Sequence, residues 1–333
     1  MKSKMDKYNL ILAGLFLLLS VLTVVWKMPQ KEDRYVHVGI AVYDLDDTFM
    51  KSYIKNLQDE MEQMKIEGKK VSYEIYDAKG SSRKQEKQLQ CMYAQKYDVM
   101  LVNLVEPSSA ASVINDAEDA DIPVILFNRE ADSKDLKIAK KVWYVGTDAK
   151  AAGAMQGEML KKIWKEQQEK LDRNKNGKLD YVLVEGEETH FDAIRRTNGF
   201  LESSEDMPMN QRANLSADWK RELATAKFAK LDKEIINNAE AVICNNDDMA
   251  LGVYDYYKKH HLQMPVILGI NNSLEMNQKI REGEIYGTVD NKMEDQVGHI
   301  CQLMKAILKD NTKKYKKVWY STPHAITKTS CRE

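Results

Sequence analysis

The sequence is poor in the residues that stabilise small disulfide-linked or metal-linked domains. Its 333 residues include 4 cysteines, 6 prolines and 15 glycines, and no C-x-x-C pair occurs. Cys91 and Cys301 fall in helical patterns, and Cys244 falls in an apolar strand pattern. We therefore expect these three cysteines to be buried free thiols, in preference to a disulfide framework. A chain of this length is long enough for two domains, each with its own core.

The sequence also lacks a charge excess and the short motifs of common enzymes. It carries 50 lysines and arginines against 51 aspartates and glutamates, which gives a net charge of -1. This balance argues against a nucleic-acid partner, since nucleic-acid-binding proteins usually present a strongly basic surface. No G-x-S-x-G, H-E-x-x-H or glycine-rich phosphate loop occurs, so we do not expect an enzyme.

A single long apolar run occurs at the amino terminus. It extends from Tyr8 to Trp26 and follows the basic residues Lys2, Lys4 and Lys7. As a helix, this run approaches the ~30 Å thickness of the hydrocarbon core of a bilayer. No A-x-A-like cleavage site follows, so an uncleaved membrane anchor is preferred over a cleaved secretory signal. We therefore expect residues 1–34 to form the anchor and its tether and the rest of the chain to be extracytoplasmic. A sugar-responsive transcription repressor is not favoured, because the apolar run occupies the N-terminal position where such a repressor needs a helix-turn-helix.

Strand and helix patterns alternate along the rest of the chain. Apolar strand patterns occur at 35–43, 71–78, 97–105, 122–128 and 142–148, with helical periods between them. After a long helix from Ala149, the alternation restarts, with a weak strand near Arg212 and a helix over 218–233. This order is typical of parallel βαβ units, so we predict an α/β fold with two doubly wound, Rossmann-like lobes. Connections near 146–148, 291–293 and 321–323 are candidates for three hinge strands.

The segment DRNKNGKLD has the spacing of a calcium-binding loop. Asp172, Asn174 and Asn176 alternate before Gly177, and Asp180 follows, as in the pattern D-x-[DN]-x-[DN]-G. The carbonyl of Lys178 is a further expected oxygen ligand. The twelfth position of the loop is Leu183 instead of glutamate, so calcium needs a carboxylate from a remote segment. The alternative is a solvated turn, since Asn and Gly are common turn residues.

Polar residues recur where predicted strands end, in both halves of the chain. Ligands of open α/β sheets bind beyond the carboxyl ends of strands, so these residues predict a polar cleft between two lobes. His190, Asp192 and Arg196 combine donors and an acceptor, which suits a neutral polyhydroxylated ligand. For Asp46 and Asp247, and for Thr189, helix capping is the competing interpretation. The strand-end clusters are Asp46/Asp47, Asn103, Asn245/Asn246/Asp247, Asn271/Asn272 and Asp290/Asn291.

Several of these segments together resemble one family. DDTFM, NLVEP, FNRE, YVGTD, DRNKNGKLD, GEETHFDAIRR, CNNDDMALG and GTVDN occur in the order found in periplasmic galactose/glucose-binding proteins. These are type I solute-binding proteins of sugar ABC transporters and chemotaxis, and the resemblance covers roughly residues 35–327. It implies the type I periplasmic binding protein fold, preceded here by the transmembrane helix. The implied lobes are 35–146 plus 292–321 and 147–291 plus 322–333.

The resemblance also implies which residues bind the ligand and the metal. Phe49 and Trp219 sandwich the sugar ring in this interpretation, although core packing is the alternative for each. The implied sugar contacts are Asp47, Phe49, Asn103, His190, Asp192, Arg196, Trp219, Asn246, Asn271 and Asn291. The implied Ca²⁺ ligands are Asp172, Asn174, Asn176, the Lys178 carbonyl, Asp180 and Glu240.

One departure from the family concerns the ligand. The family has an aspartate at the position of Asn271, so a charged acceptor becomes an amide. Hydrogen bonds to charged groups contribute roughly 1.5–3 kcal/mol and neutral ones about 1 kcal/mol, which predicts weaker binding or a changed epimer preference. The expected function is a monomeric, membrane-tethered receptor for galactose or glucose that serves an ABC permease. The alternative is a sugar-sensing co-receptor that presents its closed form to a sensor kinase or chemoreceptor.

Overall fold

The computed structural model describes residues 34–131 and 133–330, and within them strands and helices alternate. The strands are β1 (Tyr35–Val42), β2 (Lys65–Ile66), β3 (Lys69–Asp77), β4 (Val99–Val102), β5 (Val124–Phe127), β6 (Val142–Thr147), β7 (Leu179–Glu185), β8 (Met209–Ser216), β9 (Ala241–Cys244), β10 (Val266–Leu268), β11 (Gly287–Asp290), β12 (Val318–Ser321) and β13 (His324–Thr327). The α-helices are α1 (Thr48–Gln63), α2 (Ser82–Gln95), α3 (Ala110–Asp119), α4 (Ser133–Ile138), α5 (Ala149–Leu171), α6 (Phe191–Ser203), α7 (Arg221–Phe228), α8 (Lys233–Asn238), α9 (Asp247–Lys259), α10 (Leu274–Glu282) and α11 (Met293–Ile307).

The strands form two separate sheets, one in each lobe. The first lobe has a seven-stranded sheet in the order β12-β6-β5-β4-β1-β3-β2, and the second has a six-stranded sheet in the order β13-β11-β10-β9-β7-β8. The pairings are parallel except β2 with β3 and β13 with β11. The two-lobed α/β fold with parallel sheets is the predicted one.

Each sheet has apolar cores on both faces, which explains the near-continuous apolar runs of its central strands. β4 and β5 are buried at every position, and so is β9. A strand buried on both faces cannot show polar alternation, because both sides of its pleat pack against helices. In the first lobe, α1 and α11 cover one face while α2 and α3 cover the other. The four cores fix the carboxyl ends of the strands that form the cleft.

The chain passes between the lobes at three points, after β6, after β11 and between β12 and β13. The buried side chain of Gln296 links all three crossings. Its Nε2 donates to Thr147 Oγ1 at 2.7 Å, to the Asn291 carbonyl at 2.8 Å and to Ser321 Oγ at 3.3 Å. Ser321 Oγ also donates to the Asn291 carbonyl at 2.7 Å. These bonds hold the three crossings together as one narrow connection.

Several local predictions were wrong or incomplete. The helix predicted over 218–233 is two helices, α7 and α8. The first begins only at Arg221 because Asp218 and Trp219 adopt left-handed φ values of 47° and 67°. Pro107 opens a short 3₁₀ turn before α3, and β2 and α4 were not predicted. Cys91 is exposed, whereas Cys244 and Cys301 are buried free thiols as expected.

The predicted membrane anchor lies outside the described residues and stays a prediction. The apolar run Tyr8–Trp26 and the rest of 1–33 belong to that part of the chain. Within 34–131 and 133–330, no helix combines the length and the apolar character needed to cross a membrane.

Candidate ligand-binding site

A cavity lies between the two lobes, at the carboxyl ends of strands from both sheets. Eight of the ten residues predicted to contact the ligand line it, together with four that were not predicted. The predicted ones are Asp47, Phe49, His190, Asp192, Arg196, Trp219, Asn246 and Asn271. The others are Tyr43, Met50, Asn128 and Arg129. Residues more than 200 positions apart in sequence therefore share one cavity.

His190 contributes a fixed donor to this cavity. It is the N-cap residue of α6, and its Nδ1 accepts the backbone N–H of Asp192 at 3.1 Å. Burial, together with the positive charges of Arg129 and Arg196, lowers the pKa of His190 to about 2, so the ring is neutral. Because Nδ1 accepts, the proton sits on Nε2, which is buried without a protein partner. The N-cap of α6 is therefore His190, one residue after Thr189, for which capping was predicted.

Asp192 and Arg196 lie on the same face of α6, one helical turn apart. Both are buried, with 7% and 6% of their surface exposed. Burial raises the pKa of Asp192 to about 6, while Arg196 opposes this rise and Glu130 adds to it. Arg196 Nη1 donates to the Asn245 carbonyl at 2.6 Å, whereas Arg196 Nε and Asp192 Oδ1 are buried without partners. This wall of the cavity thus presents an unused donor beside an unused acceptor.

Trp219 closes the second lobe's side of the cavity. The guanidinium carbon of Arg196 lies 5.4 Å from its ring centroid, and the His190 ring meets it edge-on at 5.4 Å. Its carbonyl accepts from Asn246 Nδ2 at 2.9 Å, and its indole Nε1 has no partner. A β-carbon added to Gly186 would lie 2.2 Å from the indole ring, so only glycine there lets the ring take this place.

The first lobe's wall is built around Asp47. Its Oδ1 accepts the backbone N–H of Met50 at 2.7 Å, so Asp47, and not Asp46, caps α1. Its Oδ2 accepts from the Tyr43 hydroxyl, whose pKa is raised above the usual range by burial and by Asp47. The Arg129 guanidinium stacks 3.7 Å from the centre of the Tyr43 ring. Sequence reasoning missed Tyr43 and Arg129, although Tyr43 ends one predicted strand and Arg129 directly follows another.

The four predicted asparagines play different parts. Asn246 lines the cavity and is the N-cap of α9. The cap is therefore one residue before Asp247, for which capping was predicted. Asn271 lines the cavity and accepts from Asn291 Nδ2 at 3.0 Å. Asn291 and Asn103 are buried and lie behind the lining. Asn103 accepts from the Tyr43 backbone N–H and donates to the Phe127 carbonyl at 3.0 Å, whereas Asn291 Oδ1 has no partner.

Three residues that line the cavity have a left-handed backbone. Asn128, Trp219 and Asn271 have φ values of 62°, 67° and 134°. Non-glycine residues in this region cost of order 1–3 kcal/mol each and persist where surrounding structure imposes them, often at binding sites. Of the three, Trp219 also carries a buried polar atom, its indole Nε1, that has no partner among the described residues.

The lobes touch each other around the cavity through charged and polar pairs. Arg129 Nη2 contacts Glu187 Oε1 at 2.6 Å, and Glu130 bonds to both Arg195 and the Tyr320 hydroxyl. Thr48 Oγ1 bonds to Asp248 at the mouth. Arg129–Glu187, Glu130–Arg195 and Thr48–Asp248 each join residues of different lobes, so the structure represents a closed arrangement of the cleft, whereas Tyr320 holds Glu130 from within the first lobe.

The mouth of the cleft is acidic. It shares Tyr43, Asp47, Arg129 and Trp219 with the inner cavity, so the two spaces are continuous. Nine aspartates and glutamates line it against three basic residues, and two of the three are already paired with carboxylates. Such a mouth lowers the local concentration of anions and disfavours acidic ligands.

The predicted calcium loop is folded through its own oxygens. Asp172 accepts the backbone N–H groups of Asn176 and Gly177 at 3.0 and 2.9 Å, and Asn176 Oδ1 accepts from the Lys178 N–H at 2.7 Å. Glu240, from the strand edge, accepts the Arg173 and Asp180 N–H groups at 2.6 and 2.8 Å. Burial raises the pKa of Glu240.

These oxygens suit a hard cation, but the Asp180 carboxylate is already bonded to neighbouring side chains. Its carboxylate pairs with Arg212 Nη1 at 2.9 Å. Over the residues that the structure describes, no three His, Cys, Asp or Glu side chains converge as a metal-holding group. The predicted set relies on amide and carbonyl oxygens as well, so calcium stays a prediction.

Comparisons with known proteins agree with this architecture. Residues 38–313 match the family described as periplasmic binding protein domain. The D-galactose/methyl-galactoside binding periplasmic protein of Haemophilus influenzae is 32% identical over 269 residues, which is 80% of each chain. A galactofuranose binding protein has a TM-score of 0.78 at 21% identity, over 89% of this chain and 96% of its own. The fructose binding periplasmic domain of a hybrid two-component system has a TM-score of 0.73 at 20% sequence identity, over 89% of this chain and 92% of its own.

Proposed function

The chain belongs to the periplasmic binding protein family, and from this premise we propose that it is an extracytoplasmic receptor for a neutral hexose, galactose or glucose. The family consists of binding proteins, which agrees with the prediction that the chain is not an enzyme. The proposed ligand rests on the relative from Haemophilus influenzae, whose name specifies D-galactose and methyl-galactoside, and on the chemistry of the cavity.

The observation that carries this proposal is the set of buried polar atoms at the cavity that have no partner within residues 34–131 and 133–330. His190 Nε2–H, Arg196 Nε–H and Trp219 Nε1–H are donors, and Asp192 Oδ1 is an acceptor. A buried polar group without a partner costs roughly 1–3 kcal/mol, so a ligand that satisfies all four gains substantially. Each sugar hydroxyl donates and accepts at once, and the aromatic faces of Phe49 and Trp219 suit the apolar face of a pyranose.

Calorimetry with the purified chain and a panel of aldoses tests the proposal. We expect a micromolar or tighter dissociation constant for galactose or glucose and a change in tryptophan fluorescence on binding. Galacturonate is the matched control, since it has the same ring with a carboxylate that the acidic mouth disfavours. The absence of heat and of a fluorescence change with every hexose and pentose would reject the sugar receptor.

The raised pKa of Asp192 gives hexose binding a defined pH dependence. The charged carboxylate accepts from a sugar hydroxyl, so bound sugar lowers this pKa and binding weakens as the pH falls through 6. The affinity is expected to fall about tenfold between pH 7 and pH 5, because the acid then becomes mostly protonated. His190, with a pKa of about 2, stays neutral throughout.

Calorimetry between pH 5 and pH 8 measures this dependence. Burial also raises the pKa of Asp247 to about 6, so the variant Asp192→Asn is needed to distinguish the contribution of Asp192 to the pH dependence from that of Asp247. A profile that is equally steep in Asp192→Asn would assign the dependence to Asp247 instead.

The proposed output is delivery of the sugar to an ABC permease, with the closed lobes as the docking form. The second candidate is sensing, in which the closed form engages a histidine kinase or chemoreceptor. The apolar run Tyr8–Trp26 favours sensing, since an anchored receptor cannot act as a diffusing shuttle. Inspection of the neighbouring genes discriminates the two, because a permease operon supports transport and an adjacent kinase supports sensing.

Calcium is retained as a proposed ligand of the loop after α5. The six predicted ligands, Asp172, Asn174, Asn176, the Lys178 carbonyl, Asp180 and Glu240, would hold it, and it would bring these segments together as a structural ion. Hard oxygen donors are the chemistry that Ca²⁺ prefers, which supports the assignment of these six residues.

A further inference from the structure

Both oxygens of the buried Asp180 carboxylate are engaged by side chains. Oδ1 accepts from Asn210 Nδ2 at 2.7 Å, and Oδ2 accepts from Asn174 Nδ2 at 3.0 Å. Arg212 Nη1 donates to the same Oδ2 at 2.9 Å, and its Nη2 donates to Glu234 Oε1 at 3.1 Å. Asp180 is fully buried, whereas 24% of the Arg212 side chain is exposed. A positive charge that belongs to the chain therefore already lies beside this carboxylate.

Within the part of the chain that the structure describes, the other two carboxylates of the loop, Asp172 and Glu240, form no direct ion pair. Asp172 accepts from the backbone N–H groups of Asn176 and Gly177, and Glu240 accepts from those of Arg173 and Asp180. Backbone donors orient these oxygens and leave further lone pairs for a cation, but they bring no full charge. The loop thus offers two kinds of carboxylate: Asp180 is ion-paired with Arg212, whereas Asp172 and Glu240 accept backbone N–H groups, and Glu240 is attracted by the Arg173 guanidinium only at longer range.

We propose that Arg212 acts as an internal counter-ion that competes with a divalent cation for Asp180. The pair Arg212–Asp180 ties β8 to β7 and holds the end of the loop without metal. A Ca²⁺ ion that uses Asp180 has to break this ion pair and approach the guanidinium, and both steps weaken binding. The consequence is a loop that folds without calcium and binds it weakly. This inference does not rest on the sugar site.

The test compares the parent chain with Arg212→Met by calcium calorimetry and by thermal unfolding in EDTA and in CaCl₂. Arg212→Met is expected to bind Ca²⁺ at least about tenfold more tightly, since a repelling charge is removed and a carboxylate is freed. The melting temperature of the parent should change by less than about 2 °C between the two buffers, whereas Arg212→Met should melt lower in EDTA and recover in CaCl₂.

Two further variants assign the effect. Arg83→Met, an exposed arginine of α2, removes the same charge in the other lobe and should match the parent. In the double variant D180N/R212M the gain should disappear, because no carboxylate is freed. Equal calcium affinity in the parent and Arg212→Met, including no binding by either, would overturn the proposal, as would a gain that persists in D180N/R212M. Should Arg212→Met unfold in both buffers, Arg212→Gln provides the same comparison.

Discussion

Asp192→Asn is expected to weaken hexose binding at least about 100-fold at pH 7.5, which corresponds to roughly 2.7 kcal/mol. The substitution keeps the shape of the side chain but removes the charge that accepts a sugar hydroxyl. Hydrogen bonds to charged groups contribute roughly 1.5–3 kcal/mol, more than neutral ones. Arg196 is also buried and loses its nearest counter-charge, so the cavity becomes less suited to a neutral ligand.

Asp295→Asn is the matched control for this prediction. Asp295 and Asp192 both lie in the first turn of a helix, but Asp295 is exposed and distant from the cavity. Its substitution should leave the hexose affinity within about twofold of the parent, while both variants keep the parent's circular dichroism. Equal affinity in the parent and Asp192→Asn, by calorimetry, would show that Asp192 does not contact the ligand.

The architecture could be predicted because it depends on local patterns. Apolar runs of four to eight residues between helical periods indicate parallel strands, and the handedness of their connections follows from the preference for right-handed crossovers. The positions of Asp47 and Asn246 at strand ends were also visible, since polar residues interrupt the apolar runs there. Helix starts were less accurate, and each cap lay one residue from the position predicted on propensity.

The contacts that could not be predicted join residues distant in sequence. Arg129 contacts Glu187 across the cleft, and Arg212 reaches Asp180 only because β8 pairs with β7. From its spacing, Asp180 was predicted to be one more oxygen ligand of the loop. Its ion pair with Arg212 could not be predicted, because the local sequence pattern does not show which strand lies beside β7 in the sheet. Tyr43 was missed for a related reason. Its place at the cavity depends on the hydroxyl bond to Asp47 and on the stacked guanidinium.

Gly186→Ala is expected to weaken hexose binding at least about tenfold while the lobes remain folded. A β-carbon there lies 2.2 Å from the Trp219 ring, and real carbon contacts are wider, so the indole has to move away from the sugar. Aromatic stacking on a ligand ring contributes of order 1 kcal/mol or more, and the indole N–H donor is displaced with it. The intrinsic tryptophan fluorescence of the unliganded variant should shift as well.

A double-mutant cycle with Trp219→Leu isolates this cause. If glycine is required only to admit the indole, Gly186→Ala should have little further effect on affinity in the Trp219→Leu background, so the two losses are not additive. Gly298→Ala is the control, because Gly298 lies in α11 with no atom within 4 Å of an added β-carbon. It should bind hexose like the parent and gain roughly 0.5–1 kcal/mol of stability from helix propensity. Full additivity of Gly186→Ala and Trp219→Leu would mean that Gly186 acts on binding by a route other than the position of the indole.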